Sequence, residues 1–487
     1  MPRRPIHVTG APEAPLRAAL AELRTELGIP DAFPPEVLAE AERSASAPRL
    51  PAYDATDIPF LTIDPPESTD LDQALHLSRQ GTGYRVRYAI ADVAAFVVPG
   101  SALDAEANRR VTTLYFPDGR VPLHPAVLSE GAASLLPDRT RPAALWTIDL
   151  DADGRTLAVD VRRALVRSRA KLDYAGVQKQ IDEGTAEEPL ALLKTIGELR
   201  ERQEVERGGI SLNVPEQEIV ERDDTYELTY RAPLPADDWN AQLSLLTGMA
   251  AADLMLSYGT GVLRTLPAAP DGAVGRLRRV AQALRIDWPH HVPYSLLIRS
   301  LDPHDPRHAA FLQECTSLLR GAGYTVFRDG TLPALTTHAA VAAPYAHCTA
   351  PLRRLADLPQ ALNRVRAGET PIATELCLAA MAGDPPPEWV LAALDALPDR
   401  MAEGGHRANA VERACVDIVE AAVLAGRVGE TFDACVIDLE NHHGTVHLES
   451  PAVVGRIDGD HLPLGEHLRV RLTRADPATR TVRFAPA

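Results

Sequence analysis

Three aspartates stand in the run Phe60-Leu61-Thr62-Ile63-Asp64-Pro65-Pro66-Glu67-Ser68-Thr69-Asp70-Leu71-Asp72-Gln73-Ala74-Leu75. An apolar stretch ends at Asp64, and two prolines follow, which exclude helix and hold the backbone extended or turned. Asp70 and Asp72 are two residues apart, so on extended backbone their side chains leave on the same side. Carboxylates gathered in this way repel one another. A hard divalent cation removes that repulsion, and oxygen ligands suit magnesium or manganese. Such a cation is what hydrolysis of a phosphodiester requires. The same residue types also make an ordinary solvated turn. A calcium EF-hand loop is excluded, because its glycine and terminal glutamate are missing from their offsets.

A second stretch with chemical potential is Tyr345-Ala346-His347-Cys348-Thr349-Ala350-Pro351-Leu352-Arg353-Arg354-Leu355-Ala356-Asp357-Leu358. Pro351 suits the first turn of a helix, expected over 351–366. Arg353 and Arg354 would then lie at its N-terminal end, where backbone N–H groups and the helix dipole favour an anion. An arginine there can clamp a phosphate through two parallel bonds and neutralise charge in a transition state. The alternative is a surface arginine pair bridged to Asp357. A third stretch, Leu114-Tyr115-Phe116-Pro117 followed by Val121-Pro122-Leu123-His124-Pro125, sets an aromatic ring among prolines. Tyr115 is either a core residue or a ring on which a base stacks, worth roughly 1–3 kcal/mol per base.

The elements that must position these groups read as follows. Residues 14–27 and 34–45 are expected helices, and Ser44–Pro51 a linker; two short helices with a turn allow a helix-turn-helix, although no basic recognition face is visible. Strands are expected over Ile58–Asp64, Tyr84–Val93, Leu145–Leu150 and Val159–Val166. Helical periodicity follows near 238–258, 272–285, 306–322 and 387–400, with a later helix carrying Arg407-Ala408-Asn409-Ala410-Val411-Glu412-Arg413. From Gly429 onward short strands are punctuated by glycines, which suits an OB-type β-barrel. Its histidines, His442, His443, His447, His461 and His467, have no metal-ligand spacing and read as surface residues. The fold class is therefore α+β: a helical N-terminal segment (1–50), a mixed sheet with packed helices (51–428) and a small OB-fold barrel (429–487).

Composition narrows the class. Apolar residues make up 45% of the 487, so the chain is globular, with length for more than one domain. No run of apolar residues is long enough to span a membrane, and the basic N-terminus lacks the apolar core of a signal peptide. The five cysteines lie far apart and form no CxxC pair, which fits free thiols and a cytoplasmic location. The net charge of −17 argues against a basic coat for nucleic acid, though not against a local basic channel.

The pattern Ile-Asp, five residues, Asp-x-Asp, Ala-Leu resembles the signature of the ribonuclease II (RNB-domain) exoribonucleases. The Tyr345–Arg354 stretch is similar to that family's Tyr-x-His/Trp-x-Thr-Ser-Pro-Ile-Arg-Arg/Lys block, and Tyr115 matches the tyrosine of its Tyr-Leu/Phe-Pro segment. The final strands resemble its C-terminal RNA-binding barrel. The departures are Gln73 at a fourth acidic position, Ala350 for serine and Leu355 for tyrosine. Only about 50 residues precede the main domain, where the family usually carries cold-shock barrels.

The resemblance implies a metal-dependent 3′→5′ exoribonuclease that takes single-stranded RNA by its 3′ end and releases nucleoside 5′-monophosphates. It implies Asp64, Asp70, Asp72 and Gln73 as the site of Mg2+ (or Mn2+), with Asp72 and Arg353 catalytic. Tyr115, His347, Thr349, Arg353, Arg354 and Glu412 are the implied RNA contacts, and a monomer is expected. The alternative is an RNA-binding protein whose RNB domain has lost catalysis, motivated by Gln73. A metal phosphatase or DNA nuclease finds no motif of its own here, and the absence of GxxxxGK[ST] and HExxH leaves nucleotide-driven and zinc-protease chemistry unsupported.

Overall fold

The computed structural model describes the chain except residues 1–5, 10–13, 31, 213, 215, 223–224, 232, 271, 320, 353–369, 441–442, 449–450, 452, 460 and 465. The strands expected from alternation do not form an open sheet. Phe60–Ile63, Gln73–Gln80, Gly83–Ala91, Thr140–Leu150 and Thr156–Leu172 close into a five-stranded barrel in that order. Neighbours are antiparallel, except that Thr156–Leu172 returns parallel to Phe60–Ile63 and shuts the barrel. Closure leaves no unpaired strand edge. One face of the strands carries Val86, Tyr88, Ile90, Trp146, Ile148 and Leu150, all fully or almost fully buried.

Helices cover that face. Pro235–Tyr258 is the central one, and its residues are buried along most of its length, so it runs through the core rather than over it. Glu188–Arg207 and Thr370–Ala382 flank it. The barrel strands, these helices and Trp239, Leu243, Met255 and Leu376 share one hydrophobic core. Each fully buried leucine or valine there contributes about 1.5–3 kcal/mol of transfer free energy.

The C-terminal strands Thr431–Glu440, His443–Leu448, Val454–Asp458, His467–Asp476 and Thr481–Pro486 form a second closed barrel. Its interior is continuous with other elements. Phe432, Val436, Val470 and Phe484 pack in one cluster with Leu16, Leu20 and Leu23, with Leu114 and Phe116, and with Val411, Ile418 and Val419 of the long helix Leu397–Leu424. His447 is buried at 4% exposure rather than lying on the surface.

The N-terminal helices form at Ala14–Glu26 and Pro35–Ser46, close to their expected bounds. They do not make a helix-turn-helix unit, because each buries its apolar face in a different core. The first enters the C-terminal cluster. The second places Val37 and Ala41 in the cluster of Phe60, Leu71 and Phe96, beneath the acidic loop. Within residues 1–50 there is also a strand, Ile6–Thr9, paired in parallel with Glu216–Arg222. The expected helix at 387–400 is two: Glu388–Leu394 ends, and Leu397–Leu424 begins with a proline in its first turn. The helix expected over 351–366 falls mainly outside the described residues.

Candidate active site

The acidic loop joins strand Phe60–Ile63 to strand Gln73–Gln80, and its backbone is pinned at nearly every step. Asp64 N–H donates to Leu172 O at 3.0 Å, continuing the parallel ladder past the strand end. Pro65 and Pro66 carry no N–H to satisfy, and the turn they begin closes with Ser68 N–H donating to Pro65 O at 3.0 Å. The Lys171 ammonium donates to the carbonyls of Pro66 and Ser68. Ser134 ties the far side: its hydroxyl donates to Thr69 O at 2.7 Å and accepts from Leu71 N–H at 2.9 Å. Leu135 N–H donates to Leu71 O, and Ala91 N–H to Asp72 O. The loop is thus held as rigidly as the strands beside it.

All three aspartates are buried, with exposures of 5%, 3% and 1% for Asp64, Asp70 and Asp72. Their surroundings differ. Asp72 Oδ1 accepts the backbone N–H of Leu352 at 2.6 Å. Asp70 Oδ1 accepts from Arg120 Nη1 at 2.8 Å, and the same guanidinium meets Glu130 Oε1 at 2.8 Å. Burial opposes the Arg120 charge, but Asp70 and Glu130 outweigh it and raise its pKa above the ordinary arginine value. Arg120 follows the turn glycine Gly119 and stands directly opposite Tyr115 in the hairpin Leu114–Phe116/Gly119–Val121. The sequence reading missed Arg120, although it lies between the two quoted halves of the third motif.

Gln73 opens the next strand and has a crowded amide. Its Nε2 donates to Thr349 O at 2.6 Å. Its Oε1 accepts from the Tyr88 hydroxyl, with Ser244 Oγ 3.3 Å away and 2.9 Å from Tyr88 Oη. Burial pushes the Tyr88 phenol well up, the Ser244 hydrogen bond works against that, and the nearby charges of Asp64 and Asp72 add to it. The phenol therefore stays protonated and donates. Both lone pairs of the Gln73 oxygen have hydroxyl neighbours, which makes this side chain a tie between the barrel, the central helix and the Thr349 segment. Tyr88 and Ser244 were not singled out from sequence; nothing local marks them.

The Leu352 and Gln73 hydrogen bonds join two motifs that lie 280 and 276 residues apart in the chain. The Tyr345–Leu352 segment is itself packed tightly. Gly248 of the central helix makes room for it, since a Cβ there would sit 2.2 Å from Tyr345 Cε2. His347 is 3% exposed, edge-on to Tyr345 with ring centroids 5.1 Å apart, and its Nδ1 is 3.2 Å from the Tyr324 hydroxyl. Thr349 is 5% exposed and reaches Gln73 through its carbonyl. Both residues are thus buried within the segment that meets the acidic loop. Glu412 is half-buried on the long helix, where Arg24, Asp118 and Arg480 also act on neighbouring Cys415. Arg353 and Arg354 lie outside the described residues. All five cysteines are free and buried.

Among the described residues, no three His, Cys, Asp or Glu side chains form a preformed metal cage. Magnesium does not need one, because it is commonly held through one or two carboxylates, with water and substrate phosphates filling the other positions. The buried oxygen donors of Asp64 and Asp72 fit that pattern. Asp70 is already committed to Arg120, and Gln73 to Tyr88 and Ser244.

A closed barrel thus carries an acidic loop at a strand end, cross-tied to the Tyr345–Leu352 segment far along the chain. Residues 52–360 match the RNB domain, and residues 430–487 match the RNase II-type exonuclease C-terminal S1 domain. The chain belongs to the RNB-domain family. It is similar to Ribonuclease R of Escherichia coli, 30% identical over 339 residues that make up 66% of this chain and 40% of that protein. Solved structures share the fold, and two illustrate the range. One is the apo form of Mycoplasma genitalium RNase R, with a TM-score of 0.81 at 19% identity over 97% of this chain and 78% of that one. The other is yeast Ssd1, described as a pseudonuclease, with a TM-score of 0.63 at 15% identity over 90% and 52%. No helix among the described residues is long and apolar enough to cross a membrane.

Proposed function

We propose that this protein is a divalent-metal-dependent 3′→5′ exoribonuclease that degrades single-stranded RNA to nucleoside 5′-monophosphates. The observation that carries the reading is the pair of hydrogen bonds joining the acidic loop to the Tyr345–Leu352 segment, Leu352 N–H to Asp72 and Gln73 to Thr349. They set the residues immediately before Arg353 against the carboxylates. Asp64 and Asp72 would hold Mg2+ or Mn2+, which when bound supplies an activated water and charge neutralisation at the scissile phosphate. The chain's own part is to fix the geometry. Leu352 N–H holds one oxygen of Asp72 in place. Arg353, next in sequence, would take the phosphate and Tyr115 would stack a base. The absence of any base-reading motif agrees with a substrate that enters by its end.

A second reading, an RNB domain that binds RNA without cutting it, is favoured by one observation: the Gln73 oxygen is occupied by Tyr88 and faced by Ser244 where the family has a carboxylate. One assay separates the two. End-labelled single-stranded RNA is incubated with Mg2+ or EDTA and products are resolved by length. Metal-dependent shortening from a free 3′-hydroxyl, slowed by a 3′-phosphate, supports the nuclease. Binding without shortening supports the second reading, and internal fragments appearing first contradict the directional mechanism.

A further inference from the structure

A cavity of about 550 Å³ opens between the helix Glu188–Arg207, the central helix and the turn joining strands Thr140–Leu150 and Thr156–Leu172. It is separate from the acidic loop. The central helix turns Ser244 and Gly248 toward the active-site network, while its Leu246, Met249 and Leu254 line the cavity. The cavity's size is that of a small-molecule site and far exceeds what a lone water or inorganic ion fills.

Its wall contains a buried cation that has no carboxylate partner among the described residues. Arg200 is 4% exposed, and its Nη1 donates to Gly154 O at 3.0 Å and to Gln203 Oε1 at 2.7 Å. Among the described residues Nη2 has only Met249 Sδ at 3.8 Å, and the buried Nε has no partner. Glu204, one turn along the same helix, is taken up by Ser211, Gln242 and Arg299. Burial lowers the Arg200 pKa to about 10, Arg207 adding to the effect and Glu204 opposing it, so the group remains charged at neutral pH. Arg207 also lines the cavity, and the one hydrogen bond it makes among the described residues goes to Val341 O. Arg155 is at the rim, paired with exposed Asp153. Two acids, Glu206 and Asp253, are present as well, but both are exposed and neither pairs with Arg200 among the described residues.

A guanidinium buried in this way is paired in most proteins, because burying an isolated charge is costly. Beside it lies an apolar wall, which a bare anion would leave unused. We propose that the cavity binds a phosphate monoester carrying an apolar planar body, of the size of a nucleoside monophosphate. Arg200 and Arg207 take the phosphate, and the Leu246–Met249–Leu254 wall packs on the face of the base. The cavity shares no residue with the acidic loop, and its ligand does not depend on the chain being a nuclease.

The test is calorimetric titration of the full chain in EDTA with AMP, adenosine and inorganic phosphate, on wild type, Arg200→Met and Arg207→Gln. AMP should bind, and bind more tightly than either half alone, because it uses both walls. One charge-assisted contact is worth roughly ten- to a hundredfold in affinity, which Arg200→Met should remove. The unfolding temperature of Arg200→Met reports whether the variant is folded, since removal of the buried charge and loss of the Gly154 hydrogen bond act in opposite directions. If that variant fails to fold, Arg207→Gln must still weaken AMP binding. No AMP binding in EDTA, equal affinity for AMP and inorganic phosphate, or unchanged affinity in the folded variants would overturn the proposal.

Discussion

The position where this chain departs from its family gives the sharpest test of how the site is built. Gln73→Asp restores a carboxylate, and the structure argues that it does so at a loss. Gln73 Nε2 donates to Thr349 O at 2.6 Å, whereas aspartate is one methylene shorter and has no donor when ionised. Leaving that carbonyl without its partner costs about 1–3 kcal/mol. The new charge joins Asp64, Asp70 and Asp72, of which only Asp70 faces Arg120. A like charge at ~5 Å costs roughly 3 kcal/mol at an effective dielectric of about 20, unless the new acid stays protonated. Without metal the variant should therefore lose about 4–6 kcal/mol with the new acid ionised. A divalent cation should return the electrostatic part and not the hydrogen bond. Thermal unfolding in EDTA and in millimolar Mg2+ or Mn2+ measures both, with Gln73→Glu as the length-matched control. The metal-induced rise in unfolding temperature should be larger for Gln73→Asp than for wild type. A variant as stable as wild type in EDTA, or one that gains no more from metal, would refute the assignment of Gln73 as a tie.

Three further outcomes are expected. Asp72→Asn keeps an oxygen for Leu352 N–H but removes charge, so cleavage should fall by roughly 10²–10³ or more while RNA affinity at fixed salt stays level or tightens; near-wild-type cleavage would show that another carboxylate does the work. Arg120→Gln frees Asp70, so Mn2+ should bind more tightly, read by electron paramagnetic resonance without RNA; weaker binding would mean that Arg120 orients Asp70 rather than competing for it. Stability should also fall in mild acid. Burial holds His124 down to about 4, helped by Arg110, and His338 to about 3, helped by Arg264, against 6.5 when unfolded. The unfolded chain gains these protons first, so stability is full above pH 6.5 and drains as pH falls toward 4, by about 3 kcal/mol for His124 alone. His124→Gln should flatten that slope in pH-dependent denaturant titrations; an unchanged slope would remove His124 from the account.

The acidic loop was legible because everything that defines it is local: prolines set its backbone, and the Asp70–Asp72 spacing sets its direction. The strands near 60, 84 and 145 and the C-terminal barrel were legible for the same reason, since alternation and glycine punctuation are written residue by residue. Barrel closure was not, because pairing Phe60–Ile63 with Thr156–Leu172 depends on every strand between them. The two N-terminal helices were visible, but which core each enters was not, for an apolar stripe does not name its partner. Likewise Arg120 and Arg200 look alike as letters in the sequence. One meets a carboxylate across the site and the other meets none, and only the packing of elements distant in the chain decides which charge is paired. Local sequence determined the backbone forms and the kinds of donor available. Tertiary structure decided which donors face each other, because that depends on closing loops hundreds of residues long around a core that has to fill its volume.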